Sequence, residues 1–194
     1  MARRKPTVSI LKPIPTIIGA GITEQYYFAH LQQILGLRVK IRPRFFGHEN
    51  VLTLEKRIKQ VLDDDGFAIV VFDADVSQWN EKERIRLQSL KKRYETKRNV
   101  VICDSMPSIE YWFLLHYIRT NRYFGTCDVV IRELVKNMPN FSKHESFLKS
   151  PSWVNSLVEK MDKAYENAKS LGTDGESYTN VWKAFRSLKP ERFK

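Results

Sequence analysis

Residues 67–72 read Phe-Ala-Ile-Val-Val-Phe, a run without a polar member, and Asp73-Ala74-Asp75 follows at once. A short, β-branched apolar run of this kind marks a strand buried on both faces, the situation of a parallel sheet sheathed by helices. A second run, Asn99 to Cys103 (NVVIC), reads the same way, and Thr16 to Gly19 is a shorter β-branched strand closed by glycine. Leu37 to Phe46 alternates Val39 and Ile41 with Lys40 and Arg42, which predicts a further strand bent at Pro43. Between these runs the apolar period changes to that of a helix. Helices are expected over Thr23–Leu35, Val51–Leu62, Asn80–Tyr94 and Pro107–Ile118. Strand–helix–strand alternation predicts an α/β fold, a mainly parallel sheet with helices on both faces. Helical spacing over Val129–Val135, Trp153–Leu171 and Tyr178–Leu188 predicts a helical C-terminal portion. The chain thus divides as one domain, 1–194, with an α/β core over 1–125 and a helical extension over 126–194.

Such a sheet fits the 194 residues and the 42% hydrophobic content, which suffice for one domain with a core. No apolar run approaches the ~18–20 residues of a membrane helix. The basic start, Met1 to Pro6, is followed by no apolar leader, and Cys103 and Cys127 lack metal-site spacing. The expectation is a reduced, cytoplasmic protein without a membrane. The net charge of +11 points to a polyanionic partner, DNA or RNA, against the plainer reading of a soluble basic protein. Arg38, Lys40, Arg42 and Arg44, beside Phe45 and Phe46, would follow a phosphate backbone or guard a solvated edge strand. Arg84, Arg86, Lys91, Lys92 and Arg93 read as a solvated helix face.

Ligands of open parallel sheets bind beyond the carboxyl ends of the strands, so the positions of the acids carry information. Glu24 follows the first strand, Asp73 and Asp75 end the third, Asp104 ends the fourth, and Glu110 comes soon after. All five are expected on one edge. Residues two apart in an extended segment point the same way, so Asp73 and Asp75 can face one ion. Mg²⁺ or Mn²⁺ takes oxygen ligands of this kind, with Glu24 as a third ligand or a proton-transfer group. The structural alternatives are a strand-to-loop turn for D-x-D, and Thr23 as helix cap with Glu24 answering the helix dipole. Gly19 and Gly21 permit a tight turn at which backbone would approach a phosphate, though no P-loop follows. In DSMPSIEYWFLLHY, Ser105 or Ser108 and Pro107 make a helix start. Glu110 and His116 are polar groups on an apolar helix, His116 reading first as a satisfied core histidine and Glu110 standing nearer the acidic edge.

As a set, GAGITEQYYF, VFDAD, DSMPSIEYWFLLH, FSK and SYTNVWKAF, in that order, resemble the RloB family of bacterial proteins found beside restriction–modification genes. The likeness runs from about Thr16 to Phe185. That family is similar to Toprim domains, whose glutamate after the first strand and D-x-D after the third support Mg²⁺-dependent phosphoryl transfer. By position these are Glu24, Asp73 and Asp75. The family's S-N-P-x-F-E-x-W-L-L-L-H stretch falls on Ser105, Pro107, Glu110, Trp112 and His116, and its aromatic-x-K element on Phe141 and Lys143. Met106 stands where the family has asparagine, and Ala20 where an acidic residue is frequent.

The resemblance implies antiviral defence and nuclease-like chemistry. The expected activity is a Mg²⁺- or Mn²⁺-dependent nuclease or phosphotransferase acting on nucleic acid. Asp73 and Asp75 would bind the ion, and Glu24 would bind it or move a proton. Glu110 and His116 would complete the catalytic set, and Gly21, Thr23, Ser105 and Lys143 would contact phosphate. The alternative is a binding module that senses nucleic acid or nucleotide without cutting it, with an ATPase as possible partner protein.

Overall fold

Period-two alternation in the buried strands decides which side chains meet which helices. The computed structural model describes residues 13–19, 21–42, 50–75, 80–173, 176–189 and 191. Strand β1 (Pro15–Gly19) lies between β2 (Lys40–Arg42) and β3 (Phe67–Asp73). Strand β4 (Val100–Met106) flanks β3, and β5 (Tyr178–Thr179) pairs with β4 at the far edge. The order is β2-β1-β3-β4-β5, parallel throughout except for the antiparallel β4–β5 pair. Helices α1 (Ile22–Leu35), α2 (Val51–Asp63) and α3 (Glu81–Tyr94) alternate with the parallel strands, and the short α4 (Glu110–Leu115) follows β4. The rest is helical, with α5 (Cys127–Leu134), α6 (Glu145–Leu148), α7 (Ser152–Val158), α8 (Met161–Leu171) and α9 (Trp182–Leu188).

Each strand sends alternate residues to opposite faces. Ile18, Val70, Phe72 and Ile102 pack with Leu54, Ile58, Leu87 and Leu90 of α2 and α3. Ile17, Ile69, Val71 and Cys103 join the larger core with α1, α4 and the C-terminal helices, which contribute Leu157, Ala164 and Phe185. The C-terminal helices therefore share one core with α1. Trp112 is fully buried on α4, and its indole N–H donates to the Tyr27 hydroxyl of α1 at 2.7 Å. A mostly apolar pair so placed still satisfies its polar tips.

The helix ends follow from local chemistry. Asn50 Oδ1 accepts the Thr53 N–H at 3.0 Å at the start of α2, and Asn80 Oδ1 accepts from Lys82 and Glu83 at the start of α3. Gly36 ends α1 at φ 61°, a left-handed conformation that costs glycine nothing.

Four expected boundaries differ. The second strand is only Lys40–Arg42: residues 37–39 of its expected span lie outside the strand, and 43–46, with Arg44, Phe45 and Phe46, lie outside the described residues. Strand β4 runs on to Met106, so the expected helix over 107–118 shrinks to Glu110–Leu115 behind a cis Met106–Pro107 bond. The expected helix over 153–171 is two, α7 and α8, broken at Glu159 and Lys160. Tyr178 and Thr179, expected to open the last helix, instead form β5, because the edge of β4 takes their backbone into the ladder.

Candidate functional site

The carboxyl ends of β1 and β3 meet the first turn of α1, and acids collect there. Asp73 is the last residue of β3 and lies on the α1 side of the sheet by alternation with Ile69 and Val71. Its Oδ1 accepts the Ile109 backbone N–H at 2.9 Å. Burial holds the Asp73 carboxyl well above the usual range, and the charges of Glu24, Glu110 and Asp75 push it the same way against the opposing Lys143. Those influences place four carboxylates and one lysine within electrostatic reach of a single point. Glu24, 3% exposed, sits on the first turn of α1. Its carboxylate folds over Gly21, where an added Cβ would lie 3.0 Å from the Glu24 carboxyl carbon and collide with an oxygen. The backbone of Gly21 is extended, so a side chain there would meet no backbone strain and would displace only the flexible end of Glu24.

Gly21, Glu24, Asp73 and Asp75 line a pocket of about 220 Å³ together with Asn50, Val51 and Leu54 of α2, and Glu83 and Leu87 of α3, Asn50 being the cap of α2. Glu83 is a further acid at this site. It occupies the third position of the Asn80-capped helix, from which a glutamate commonly reaches back to its own cap. Here it reaches across to α2 instead, accepting the Val51 N–H at 3.0 Å and Arg86 at 2.6 Å. Those two donors hold its carboxyl below the ordinary range against a smaller opposing effect of burial.

Behind the pocket, Glu110 is fully buried in the first turn of α4. Lys143 lies 3.2 Å from Glu110 Oε1, and the Cys127 thiol donates to Glu110 Oε2 at 3.3 Å. The ammonium also donates to Cys127 Sγ at 3.4 Å. Burial alone would lower the Lys143 pKa, but Glu110, Cys127 and Asp73 together raise it. Burial, with Glu110 beside it, pushes the Cys127 thiol up to about 12. A cysteine 17 residues beyond Glu110 in sequence carries no motif that would have announced this contact.

The structure gathers Glu24, Asp73, Asp75, Glu110 and Lys143, and separates others from them. Asp104 does not join the acidic edge. It lies one residue out of phase with Ser105, the partner of Asp73 in the ladder, and therefore faces α3. Burial would raise its pKa, but Lys91 at 2.7 Å, Asn180 at 2.7 Å and Tyr178 at 2.8 Å hold it low. Ser105 Oγ bonds Thr179 Oγ1 at 2.8 Å and so serves the β4–β5 pair. Thr23 is not the helix cap. Gly21 holds that position, and the buried Thr23 hydroxyl has no hydrogen-bond partner among the described residues. His116 is fully buried past the other end of α4, with Nδ1 2.9 Å from the Trp112 carbonyl oxygen. Burial lowers its pKa to about 3, which keeps it neutral.

Among the described residues, no three His, Cys, Asp or Glu side chains form a group that could hold a metal ion. The donor chemistry still suits a hard cation: carboxylate oxygens, one of them on a carboxyl that burial and its acidic neighbours push toward protonation. Mg²⁺ commonly takes only one or two protein carboxylates and completes its shell with water and substrate phosphate.

No described helix is long and apolar enough to cross a membrane. A sequence model of one family, described as RloB-like protein, matches residues 16–188. No curated protein and no solved structure matches the chain.

Proposed function

The chain belongs to the RloB-like family, and from that premise and the acidic sheet edge we propose that it is a Mg²⁺- or Mn²⁺-dependent nuclease or phosphotransferase acting on nucleic acid. The carrying observation is that Glu24, Asp73 and Asp75 line one pocket, with Glu110 and Lys143 close enough to act on the Asp73 charge. Clustered carboxylates repel one another unless protons or a cation neutralise them, so a divalent ion has an electrostatic reason to bind there. Asp73 and Asp75 would hold the ion, with Glu24 as a further ligand or as proton acceptor. Once bound, the ion would polarise the phosphoryl group and lower the pKa of attacking water.

The protein groups supply the rest. The Ile109 N–H fixes one Asp73 oxygen, and Gly21 leaves room for the Glu24 carboxylate. Glu110 keeps Lys143 charged at the back of the site, where the ammonium can meet phosphate. His116, neutral and enclosed, has no part in this scheme. The net charge of +11 favours a polyanionic substrate, and the family suggests a setting in antiviral defence, in the cytoplasm, with an ATPase as possible partner.

The second reading, a sensor that binds nucleic acid or nucleotide without cutting it, is favoured by the lack of a converged three-ligand group among the described residues. One experiment separates the two. Wild type and Asp73→Asn are incubated with labelled RNA, single-stranded DNA and duplex DNA, in Mn²⁺ and in chelator, and melting temperatures are read in both conditions. Asparagine retains the oxygen that accepts the Ile109 N–H, so the variant should fold. The nuclease reading expects cleavage only by wild type with metal, and a Mn²⁺-dependent rise in melting temperature that the variant loses. Binding without cleavage by both proteins would transfer the assignment to the sensor. Full activity of Asp73→Asn would sink the metal-site reading.

A further inference from the structure

A second pocket, of about 390 Å³, shares no lining residue with the acidic one. It exists because β5 pairs with β4 only at Ser105 and Met106. The earlier part of β4 is left without a strand neighbour on that side, and Val100, Val101 and Ile102 become a pocket wall. Lys91 of α3 and Trp182, Lys183 and Arg186 of α9 complete the enclosure.

The charges in this pocket are unequally spent. Lys91 and Asp104 neutralise each other at 2.7 Å. Lys183 and Arg186 form no ion pair with a described residue, although Lys183 Nζ lies 5.9 Å from the Trp182 ring centroid, and their i, i+3 spacing sets them side by side on α9. Glu95 is the remaining acid of the lining. Two further lining residues carry buried polar atoms with no hydrogen-bond partner among the described residues, the acceptor Asn180 Oδ1 and the donor Trp182 Nε1. Asn180 is 4% exposed, and its other amide atom is already committed to Asp104. Buried polar atoms are seldom left unanswered in a fold, and these two belong to residues of the pocket wall, where a small rotation would offer them to a bound group with its own donor and acceptor.

We infer that this pocket binds a nucleotide, its base against Trp182 and the open edge of β4 and its phosphate on Lys183 and Arg186. A nucleobase presents a flat apolar face together with adjacent donors and acceptors, and the phosphate supplies the negative charge that the two cations lack. The same chemistry belongs to a free mononucleotide and to the phosphorylated end of a strand. The site stands apart from the acidic edge and does not depend on its assignment.

The test is equilibrium dialysis of the full chain with labelled AMP and with a 5′-phosphorylated tetranucleotide, both in chelator. Wild type, Asp73→Asn and the double variant Lys183→Ala/Arg186→Ala are compared. Arg186 is exposed and Lys183 half-buried, neither forms an ion pair with a described residue, and the melting temperature of the double variant checks that it folds. Saturable AMP binding weakened by roughly tenfold or more in the double variant, and unchanged in Asp73→Asn, is the expected result. The same pattern with the tetranucleotide alone would make a strand end the ligand. Absence of saturable binding to either probe, or binding that the double variant leaves unchanged, would overturn the site.

Discussion

At the level of single residues, the site depends on space as much as on charge. The Glu24 carboxylate occupies the volume that a side chain at position 21 would need. Gly21→Ala should therefore act on Glu24, since the extended backbone at Gly21 suits alanine without strain. We expect metal-dependent cleavage to fall by roughly tenfold or more, with stability changed by no more than about 1 kcal/mol. A crystal structure or a Mn²⁺ titration of the variant would show the displaced carboxylate. Full activity of the variant would mean that Glu24 has no fixed place in the chemistry. Asp73 illustrates the complementary point, because its Ile109 hydrogen bond fixes its direction while burial and its acidic neighbours raise its pKa.

At the level of elements, α4 joins core and site. Its six residues are all buried, so Glu110 enters the interior on the same helix that carries Trp112 and Leu115. A fully buried carboxylate needs a cation, and Lys143 supplies it from the segment between α5 and α6. Lys143→Ala should cost about 1–3 kcal/mol, less than a wholly enclosed pair would, because the lysine side chain is 44% exposed. Adding Glu110→Gln should restore much of that stability by removing the stranded charge. Chemical denaturation of the two single variants and the double variant measures the coupling. Strictly additive losses would show that the pair does not hold α4 in place.

Across the whole molecule, acid stability reports how its ionisable groups are enclosed. His116 is lowered from 6.5 to about 3, so between those values the unfolded chain binds a proton that the folded chain refuses. Its contribution to stability is full above pH 6.5 and is lost as pH falls toward 3. Asp104, also lowered, acts in the same direction at more acid pH. Asp73 is raised, so its destabilising effect is relieved on acidification and partly opposes the other two. In chelator, His116→Gln should flatten the fall in melting temperature between pH 6.5 and 4, even if the variant starts lower. An unchanged slope would indicate that another group dominates acid unfolding.

The layered sheet was legible in the sequence because buried strands and amphipathic helices leave different periods, and a short β-branched run such as FAIVVF is typical of an interior strand. The approach of Glu24 to Asp73 and Asp75 was legible for a related reason: parallel connections bring the carboxyl ends of strands to one edge. Local pattern stops where partners come from distant sequence. Asp104 looked like another edge acid, but one step of strand alternation turns it toward Lys91 and β5. Tyr178 and Thr179 looked helical until the open edge of β4 supplied a ladder. The pairing of Glu110 with Lys143, the crossing of Glu83 to Val51 and the pocket beside α9 likewise exist only after packing. Residue type and period determine what each segment tends to bury, whereas the meeting of charges is a property of three-dimensional distance, which sequence spacing does not encode.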